Sequence, residues 1–405
     1  MKKHINISTA NGIVVAPPSK SYSHRILICA ALSEKESIIK NIELSNDIIA
    51  TLNCLKALGI NYLYDEKTKT INLFNNLEKT DTFDCLESGS TLRFMIPIAL
   101  VKNNYANFIG TKRLMERGLG VYEEIFTNQG IFYEKNETNF FVKGTLLPGT
   151  YKILGNISSQ FISGLLFSLP LLDGDSIIEI IPPIESIDYI KITIDVLAKC
   201  GIKVIDDLDH YKLYIKGHQH YLPLNTYVEG DYSNAAFLDA FNYLDGKVVV
   251  EGLNKNSLQG DKAYQKYFKI LKEKKMPIID ISNTIDLGPI LFVMASLLNG
   301  AKFIGTKRLE IKESNRVKCV CSELQKFGVN YEIGDNYCII NKSILHKPSV
   351  ELESHNDHRL VMALTVMLSK FGGWINNTEA VNKSFPAFFD VVKTLGIEVE
   401  DEWTY

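Results

Sequence analysis

The sequence has little that would indicate a disulfide-rich, metal-binding or membrane-spanning protein. Its seven cysteines are scattered, odd in number and include no Cys-x-x-Cys pair, so we expect reduced, mostly buried thiols and no metal site. The longest apolar runs, such as residues 289–298, fall well short of the ~18 residues that a membrane span needs. The first residues enter a strand pattern without the apolar core of a signal peptide. These features predict a cytosolic protein.

Charge of one sign is not in excess either. The 405-residue chain has 44 basic and 47 acidic residues, for a net charge of −3. This balance excludes the broad basic surface of a nucleic-acid-binding protein, so an anionic partner must be bound by a local cluster of cations. The length allows two to three domains, and 46% hydrophobic residues are ordinary for a globular enzyme.

The chain contains internal repeats. Residues 108–114 and 303–309 are identical, and their separation of nearly half the chain predicts a duplicated domain of about 200 residues. A shorter pattern recurs more often: an amphipathic helix ends in glycine, and Ile or Val then begins a strand. This glycine fits the left-handed position at a helix C-terminus. The pattern occurs at Gly59, Gly130, Gly201, Gly328 and Gly396, with a degenerate sixth copy near Met276.

Helices that are apolar on nearly every side lie between these patterns, and such helices are buried. They are predicted over residues 26–32, 94–101, 161–172, 287–298 and 360–368. Short strands accompany them, such as 70–74, 140–143, 212–215 and 337–341. We predict an α/β protein of two domains, each with three similar units that place helices inside and sheets around them. The alternative is a doubly wound α/β protein, but no Gly-x-Gly-x-x-Gly follows a strand.

Polar and basic residues cluster where helices are predicted to begin. The clusters cover residues 17–25, 87–93, 156–160, 312–316 and 356–359. A helix N-terminus offers free N–H groups and a positive dipole end, so each cluster is a candidate anion site. A single cluster could be ordinary helix capping. Five clusters in both halves favour a pocket for more negative charge than one phosphate carries.

At these clusters the sequence resembles the enolpyruvyl transferase family, and within it the branch of the shikimate pathway. The resemblance extends from Lys20 to Lys383 with the motifs in the family's order. The matching motifs are Lys20-Ser21-x-Ser-His-Arg25, Gly89-Ser-Thr-x-Arg93, Leu-Met-Glu-Arg117-Gly, Ser158-Ser159-Gln160, Ser186 with Tyr189, Ile-Asp286-Leu-Gly-Pro, Lys312-Glu313-Ser-Asn-Arg316, Asn-Asp-His358-Arg359 and Lys383-Ser-Phe-Pro. The sequence departs from the family at several positions, among them Glu87 and Arg308.

The resemblance implies the family fold, an inverse α/β barrel whose domains each contain three βαβαββ-like units. Their inner helices point at a cleft between the domains, where the active site is expected. One domain would be discontinuous, formed by residues 1–18 and 229–405, and residues 19–228 would form the inserted domain.

The implied reaction transfers the enolpyruvyl group of phosphoenolpyruvate to the 5-hydroxyl of shikimate 3-phosphate, without a cofactor or metal. Matched motif by motif, the residues that bind shikimate 3-phosphate would be Lys20, Ser21, Arg25, Ser158, Ser159, Gln160, Ser186, Tyr189, Asp286 and Lys312. Those that bind phosphoenolpyruvate would be Lys20, Gly89, Arg117, Gln160, Arg316, Arg359 and Lys383. The inhibitor glyphosate would occupy the phosphoenolpyruvate position.

The reaction needs a base at the hydroxyl and an acid–base group at the methylene carbon C3. We assign Asp286 as the base and Glu313 as the C3 proton donor, and Lys20 as a third group that shares the proton traffic. Simpler roles are open for each acid. Asp286 could cap the helix 287–298, Glu313 could form an ion pair with Lys312 or Arg316, and His358 could be a packed partner.

Two other functions remain as alternatives. One is the cell-wall enolpyruvyl transferase that acts on UDP-N-acetylglucosamine. It typically has a Lys-Asn pair where this chain has Lys20-Ser21 and a cysteine in the segment that here spans residues 110–120, which has none. The other is a non-catalytic anion-binding module, in which Asp286 and Glu313 would have no purpose. We expect a monomer that binds small molecules, with no nucleic-acid or membrane partner.

Overall fold

The computed structural model describes residues 1–33 and 35–402. The chain folds into two compact units, each with its own hydrophobic core. One unit, called the split unit below, combines Met1–Pro17 with the chain from Gly230 onward. The other, called the inserted unit, is Pro18–Glu229. The domain boundaries expected from the family resemblance lie between residues 18 and 19 and between residues 228 and 229.

The first two strands belong to the split unit and the next elements form the inserted unit. The strands of the split unit are β1 (Lys3–Ile5) and β2 (Asn11–Val15). The inserted unit contains α1 (Lys20–Leu32), β3 (Ser37–Lys40), α2 (Asn46–Ala57), β4 (Ile60–Asp65), β5 (Thr70–Asn75), β6 (Thr82–Asp84), α3 (Gly89–Asn103), β7 (Tyr105–Ile109), α4 (Lys112–Glu116), α5 (Gly120–Gln129), β8 (Phe132–Lys135), β9 (Asn139–Lys143), β10 (Thr150–Leu154), α6 (Ser159–Ser168), β11 (Ser176–Ile181), α7 (Ile187–Lys199), β12 (Val204–Asp207), β13 (Lys212–Ile215) and β14 (Asn225–Tyr227).

The remaining elements complete the split unit. They are α8 (Tyr232–Asp239), β15 (Lys247–Glu251), α9 (Tyr264–Glu273), β16 (Ile278–Asp280), α10 (Gly288–Leu297), β17 (Ala301–Ile304), α11 (Arg316–Gln325), β18 (Tyr331–Ile333), β19 (Tyr337–Ile340), β20 (Leu352–Glu353), α12 (His358–Phe371), β21 (Gly373–Asn376), α13 (Phe388–Thr394) and β22 (Val399–Asp401). Short 3-10 turns join several of them, including Gly260–Ala263, Ile285–Leu287 and Lys307–Ile311.

The sheets repeat one topology. The inserted unit has three four-stranded sheets in the orders β14-β3-β5-β4, β6-β7-β9-β8 and β10-β11-β13-β12. The first two strands of each are parallel, and the other pairs are antiparallel. The split unit repeats this pattern in β16-β17-β19-β18 and β20-β21-β1-β22, whereas its third sheet is the parallel pair of β2 and β15.

The predicted repeats are therefore confirmed at the level of the sheets. The two identical segments each begin with the last two residues of the second strand of their sheet, which is β7 in the inserted unit and β17 in the split unit. The recurring glycines are also confirmed in the left-handed region, with φ of 70° at Gly130. In the degenerate sixth copy Met276 adopts the same kind of conformation, with φ of 46°, although a side chain disfavours it.

The predicted inner helices are α1, α3, α6, α10 and α12, and nearly all their residues are buried. A sixth inner helix, α8, was missed. It has eight residues, of which seven are buried, and it continues into a 3-10 turn at Ala240–Tyr243. Six of the seven cysteines are buried as expected. Within the described parts of the chain, no helix combines the length and hydropathy needed to cross a membrane.

Candidate active site

A buried arginine organises the charged residues of the split unit. Arg316 is the first residue of α11, and 1% of its surface is exposed. Its guanidinium donates to both carboxylate oxygens of Asp357, at 2.8 and 3.2 Å, and to Glu313 at 2.6 Å and Asp286 at 2.9 Å. Burial opposes the charge, but these three carboxylates outweigh it and raise the pKa of Arg316 above its usual value.

Asp286 lies between three cations. Its carboxylate is 3.1 Å from the Lys312 ammonium, 2.9 Å from Arg316 and 3.3 Å from Arg359. The proposed capping role for Asp286 is wrong. It lies in the 3-10 turn Ile285–Leu287, and α10 begins at Gly288 without a side-chain cap. The carboxylate is therefore held by these three cations.

Two further sequence expectations concern the segment before α11. Residues 312–316 were expected to begin this helix, but Asn315 is its N-cap, so Lys312 and Glu313 lie on the preceding segment. The ion pair considered for Glu313 is present, with Arg316 as its partner. Burial lowers the pKa of Lys312 to about 8, against the opposing effect of Asp286. Burial therefore makes the Lys312 ammonium easier to deprotonate than that of an exposed lysine.

The start of α12 completes this group. Asp357 is its N-cap and accepts from the Arg359 N–H at 3.0 Å, while His358 is buried within the turn. Lys383 donates to the Asn356 carbonyl oxygen at 2.6 Å, next to the same turn. The structure thus brings together the predicted residues Asp286, Lys312, Glu313, Arg316 and Arg359, with Lys383 beside them. We call the first five, with Asp357, the charge cluster.

Formal charges in the charge cluster balance. Its three cations are Lys312, Arg316 and Arg359, and its three carboxylates are Asp286, Glu313 and Asp357. Cations in a partly buried site need such partners because an unpaired buried charge is costly. An incoming anion must therefore compete with carboxylates of the protein for these cations.

In the inserted unit, Lys20 is the first residue of α1 and its ammonium lies 2.7 Å from Asp47 of α2. Asp47 was not identified from the sequence. The N-terminal turns of α1, α2 and α3 are joined by hydroxyl groups, since Thr51 contacts both His24 and Thr91. This network holds the start of α3 next to the elements that carry Lys20.

Arg25 joins three helices of the inserted unit. It donates to Thr193 at 2.8 Å and to the carbonyl oxygens of Ser21 at 2.8 Å and Tyr189 at 3.2 Å, and it also contacts Ser163. Burial lowers its pKa to about 10. These bonds bring together three of the residues predicted to bind shikimate 3-phosphate, namely Ser21, Arg25 and Tyr189.

Other predicted residues of this group occupy helix starts. Ser158 is the N-cap of α6 and accepts from the Gln160 N–H at 3.3 Å, and Ser159 is the first residue of that helix. Ser186 precedes α7 with φ of 55°, a left-handed conformation that is unusual for serine. Several other non-glycine residues share this conformation, so the role of Ser186 as a ligand stays a prediction.

A buried arginine that was not proposed as a site residue connects Gly89, Arg117 and Gln160. Arg93 of α3 donates to Gln160 at 2.8 Å and to the carbonyl oxygens of Arg117 at 3.0 Å and Gly118 at 3.2 Å. Gln160 in turn donates to Ser90. A Cβ on Gly89 would lie 2.7 Å from the Arg117 guanidinium, so this glycine allows the guanidinium to approach the start of α3.

Sequence reasoning also missed Asp357 and Asp261 as members of the polar groups around the site. Asp357 stands within a quoted motif, and its place before an apolar helix could have identified it as a cap. Arg93 could have been found as a charged residue within an otherwise apolar helix. Asp261 lies in an ordinary polar stretch, and its burial becomes visible only in the fold.

Comparison with solved structures defines the class of protein. The chain is similar to an EPSP synthase from Acinetobacter baumannii, with a TM-score of 0.79 and 19% identity over 99% of this chain and 100% of that one. It is also similar to the enolpyruvyl transferase NikO from Streptomyces tendae, with a TM-score of 0.81 and 11% identity over 98% of each chain. The fold is therefore that of the enolpyruvyl transferases, as predicted.

Sequence comparison narrows the class. Residues 5–392 match the sequence model of EPSP synthase, or 3-phosphoshikimate 1-carboxyvinyltransferase. A protein of that name from Clostridium perfringens is 41% identical over 98% of this chain and 99% of its own length. Another from Clostridium acetobutylicum is 41% identical over 99% of this chain and 98% of its length. The chain belongs to the EPSP synthase family.

The charge cluster predicts a large stability difference between two Asp→Asn variants. Asp357→Asn keeps a side-chain oxygen to cap α12 but removes a negative charge beside the buried Arg316. We expect a loss of roughly 3 kcal/mol in unfolding free energy, at the lower end for a broken buried ion pair because two carboxylates remain. Urea denaturation measures this loss.

Asp335→Asn is the matched control, since Asp335 pairs with Lys307 on an exposed surface at 3.0 Å. It should leave stability nearly unchanged. Equal losses in both variants would contradict the view that Arg316 depends on its carboxylates.

Proposed function

We propose that Asp286, Glu313 and Lys20 carry out the proton transfers by which this EPSP synthase family member moves the enolpyruvyl group of phosphoenolpyruvate to the 5-hydroxyl of shikimate 3-phosphate. The observation that carries the proposal is the charge cluster, in which Asp286 and Glu313 are held at 2.9 and 2.6 Å from the same buried guanidinium. Two carboxylates fixed next to several cations can act on neighbouring atoms of two bound anions.

Asp286 is the proposed base at the 5-hydroxyl. In the first step the hydroxyl oxygen forms a bond to C2 of phosphoenolpyruvate, the hydroxyl proton moves to Asp286, and C3 receives a proton. A base must be within hydrogen-bond distance of the proton that it removes. The three contacts to Lys312, Arg316 and Arg359 fix the Asp286 carboxylate in one place, which supports this role.

Glu313 is the proposed proton donor and acceptor at C3. In the second step C3 loses a proton, the C2–C3 double bond forms again, and the bond between C2 and the phosphate oxygen breaks. The departing phosphate takes up the proton that Asp286 accepted in the first step. One carboxyl group can serve both steps, because it gives the proton in the first and takes one back in the second. The ion pair with Arg316 sets the orientation of Glu313 and favours its ionised form, so Glu313 must take up a proton before the first step and regains one in the second.

The inserted unit supplies the remaining proposed contacts. Lys20 is proposed to take part in the proton transfers and to bind both substrates, and its ion pair with Asp47 supports the proposal because it fixes the ammonium. Gly89, Arg117 and Gln160 are proposed for phosphoenolpyruvate, together with Arg316, Arg359 and Lys383 of the split unit. Ser21, Arg25, Ser158, Ser159, Ser186 and Tyr189 are proposed for shikimate 3-phosphate, together with Gln160, Asp286 and Lys312. The expected cleft between the domains stays a prediction, as do the monomeric state and the cytosolic location.

The first test is acceptor choice, measured as phosphate release from phosphoenolpyruvate. Shikimate 3-phosphate should support rapid turnover, whereas unphosphorylated shikimate and UDP-N-acetylglucosamine should support little. Comparable kcat/KM with the UDP-sugar would favour the cell-wall activity. Binding of phosphoenolpyruvate without turnover for any acceptor would favour an anion-binding module.

The second prediction concerns Glu313→Gln, which removes the titratable group but keeps size and hydrogen bonding. If Glu313 transfers the C3 proton, kcat should fall by about 10²–10⁴-fold while substrate KM values change little. A purely structural ion pair would also lower the melting temperature but would leave kcat nearly intact, so kcat decides between the two roles. Both quantities are measured on one sample.

The third prediction concerns Gly89→Ala. Gly89 is not among the residues with positive φ, so the methyl group acts through space, by displacing the Arg117 guanidinium. A clash of this size typically costs ~1–3 kcal/mol, or roughly 5- to 150-fold in affinity. We expect a higher KM for phosphoenolpyruvate, a larger rise in the Ki of the longer inhibitor glyphosate, and little change for shikimate 3-phosphate.

Arg117→Lys is the companion variant, because its slimmer side chain leaves room for the methyl group. In the Arg117→Lys background, Gly89→Ala should raise the KM for phosphoenolpyruvate less than it does in the wild-type background. Fully additive effects of the two substitutions would show that the methyl group acts elsewhere.

A further inference from the structure

Asp261 is a buried carboxylic acid outside the set of residues assigned above. It lies in the 3-10 turn Gly260–Ala263 and is 4% exposed. Ser233, the second residue of α8, donates its hydroxyl to Asp261. A carboxylate at such a position is costly unless charge and hydrogen bonding compensate for the lost water.

Helix α8 connects the turn that carries Asp261 with two segments of the charge cluster. Helix α8 packs against three segments of the split unit: the turn that carries Asp261, the turn Ile285–Leu287 that carries Asp286, and α12, which begins with His358 and Arg359. Ser233 therefore lies on the helix that joins Asp261 to two members of the cluster. Asp231, the N-cap of α8, brings another carboxylate to the same end of this helix.

Some of these neighbours raise the pKa of Asp261 and others lower it. Burial, then the negative charge of Asp286, raise its pKa to about 7, and Asp231 adds to the rise. The positive charge of Arg359 and the hydroxyl of Ser233 oppose it. Interactions between charged groups are reciprocal. The free energy by which Arg359 favours the ionised form of Asp261 is therefore also the free energy by which ionised Asp261 stabilises the Arg359 charge.

We propose that Asp261 is an ionisable positioning residue that sets how strongly Arg359 attracts a substrate anion. When Asp261 is protonated, Arg359 interacts with Asp286 and the substrate. When Asp261 is ionised, its charge competes with the substrate for the same guanidinium. This proposal rests on the proposed role of Arg359 as a ligand of phosphoenolpyruvate, and it adds a dependence of that role on pH.

The test compares the full-length wild-type protein with Asp261→Asn, which cannot ionise but can still accept from Ser233. The KM for phosphoenolpyruvate is measured at saturating acceptor from pH 6 to 8. Because the substrate phosphate also titrates with a pKa near 6, the ratio of wild-type to variant KM is the quantity of interest. This ratio should rise roughly three- to tenfold over the range, as expected for an interaction of half to one pKa unit. A flat ratio overturns the proposal.

Ser233→Ala provides a second, opposite prediction. Loss of the hydroxyl removes a hydrogen bond that favours the ionised carboxylate, so the rise in KM should move to higher pH. Asp239→Asn is the matched control. Asp239 is a carboxyl at the other end of α8 whose pKa is also raised, chiefly by burial. Its KM profile should follow the wild type, and a change equal to that of Asp261→Asn would contradict a specific role for Asp261.

A measurement without turnover separates this proposal from the proposed function. A carboxyl whose pKa is raised by folding contributes stability that is present below its unfolded pKa near 4 and is lost as pH rises towards 7. The melting temperature of the wild type should therefore fall relative to Asp261→Asn between pH 4 and 7, and the difference should level off above. If this shift occurs without a change in the KM ratio, Asp261 titrates but does not act on Arg359, and the proposal is wrong. Absence of turnover in the wild type would instead contradict the proposed function.

Discussion

The cost of burying the Arg316 guanidinium is the constraint on which the split unit's part of the site depends. A buried cation of this kind requires carboxylates at hydrogen-bond distance, and Asp357, Glu313 and Asp286 meet that requirement from three different segments. The same bonds fix the two acids proposed for catalysis. The carboxylates that stabilise Arg316 thus include the two acids proposed for catalysis. Removing any one of these residues changes the packing and the charge around the others.

The repeated architecture explains how these short segments meet. Each repeat surrounds an inner helix with a small sheet, so the polar turns before these helices recur at equivalent places in a unit. In the inserted unit the starts of α1, α3, α6 and α7 supply candidate residues, and in the split unit those of α10, α11 and α12 do so. Free N–H groups at these helix starts favour anions, and the side chains around them determine which anion is bound. Arg25 and Arg93 then hold neighbouring repeats of the inserted unit together.

The sequence allowed the repeat, the buried helices and most cations of the site to be predicted, because each depends on local pattern or on a motif. The glycines at helix C-termini were predictable because the left-handed conformation at this position favours glycine, which can be recognised in the sequence. Helix α8 was missed because eight residues are too few to establish a period. Asp47, Asp261 and the bonds of Arg93 depend on segments distant in sequence, and no local pattern reports such contacts. The capping role considered for Asp286 was wrong for the same reason, since Lys312, Arg316 and Arg359 become its neighbours only after folding.

The balanced charge of the cluster has a further consequence for how catalysis is triggered. In the split unit, each cation of the charge cluster is already paired with a carboxylate of the protein, and a substrate anion must replace that carboxylate. If Lys312 and Arg359 turn towards substrate anions as proposed, Asp286 loses part of the positive field that surrounds it. A carboxylate with fewer cation partners holds a proton more tightly, so the base would gain strength at the moment when the hydroxyl arrives. Substrate binding would then favour proton abstraction, whereas in the resting protein the three cations keep the Asp286 carboxylate ionised and weakly basic.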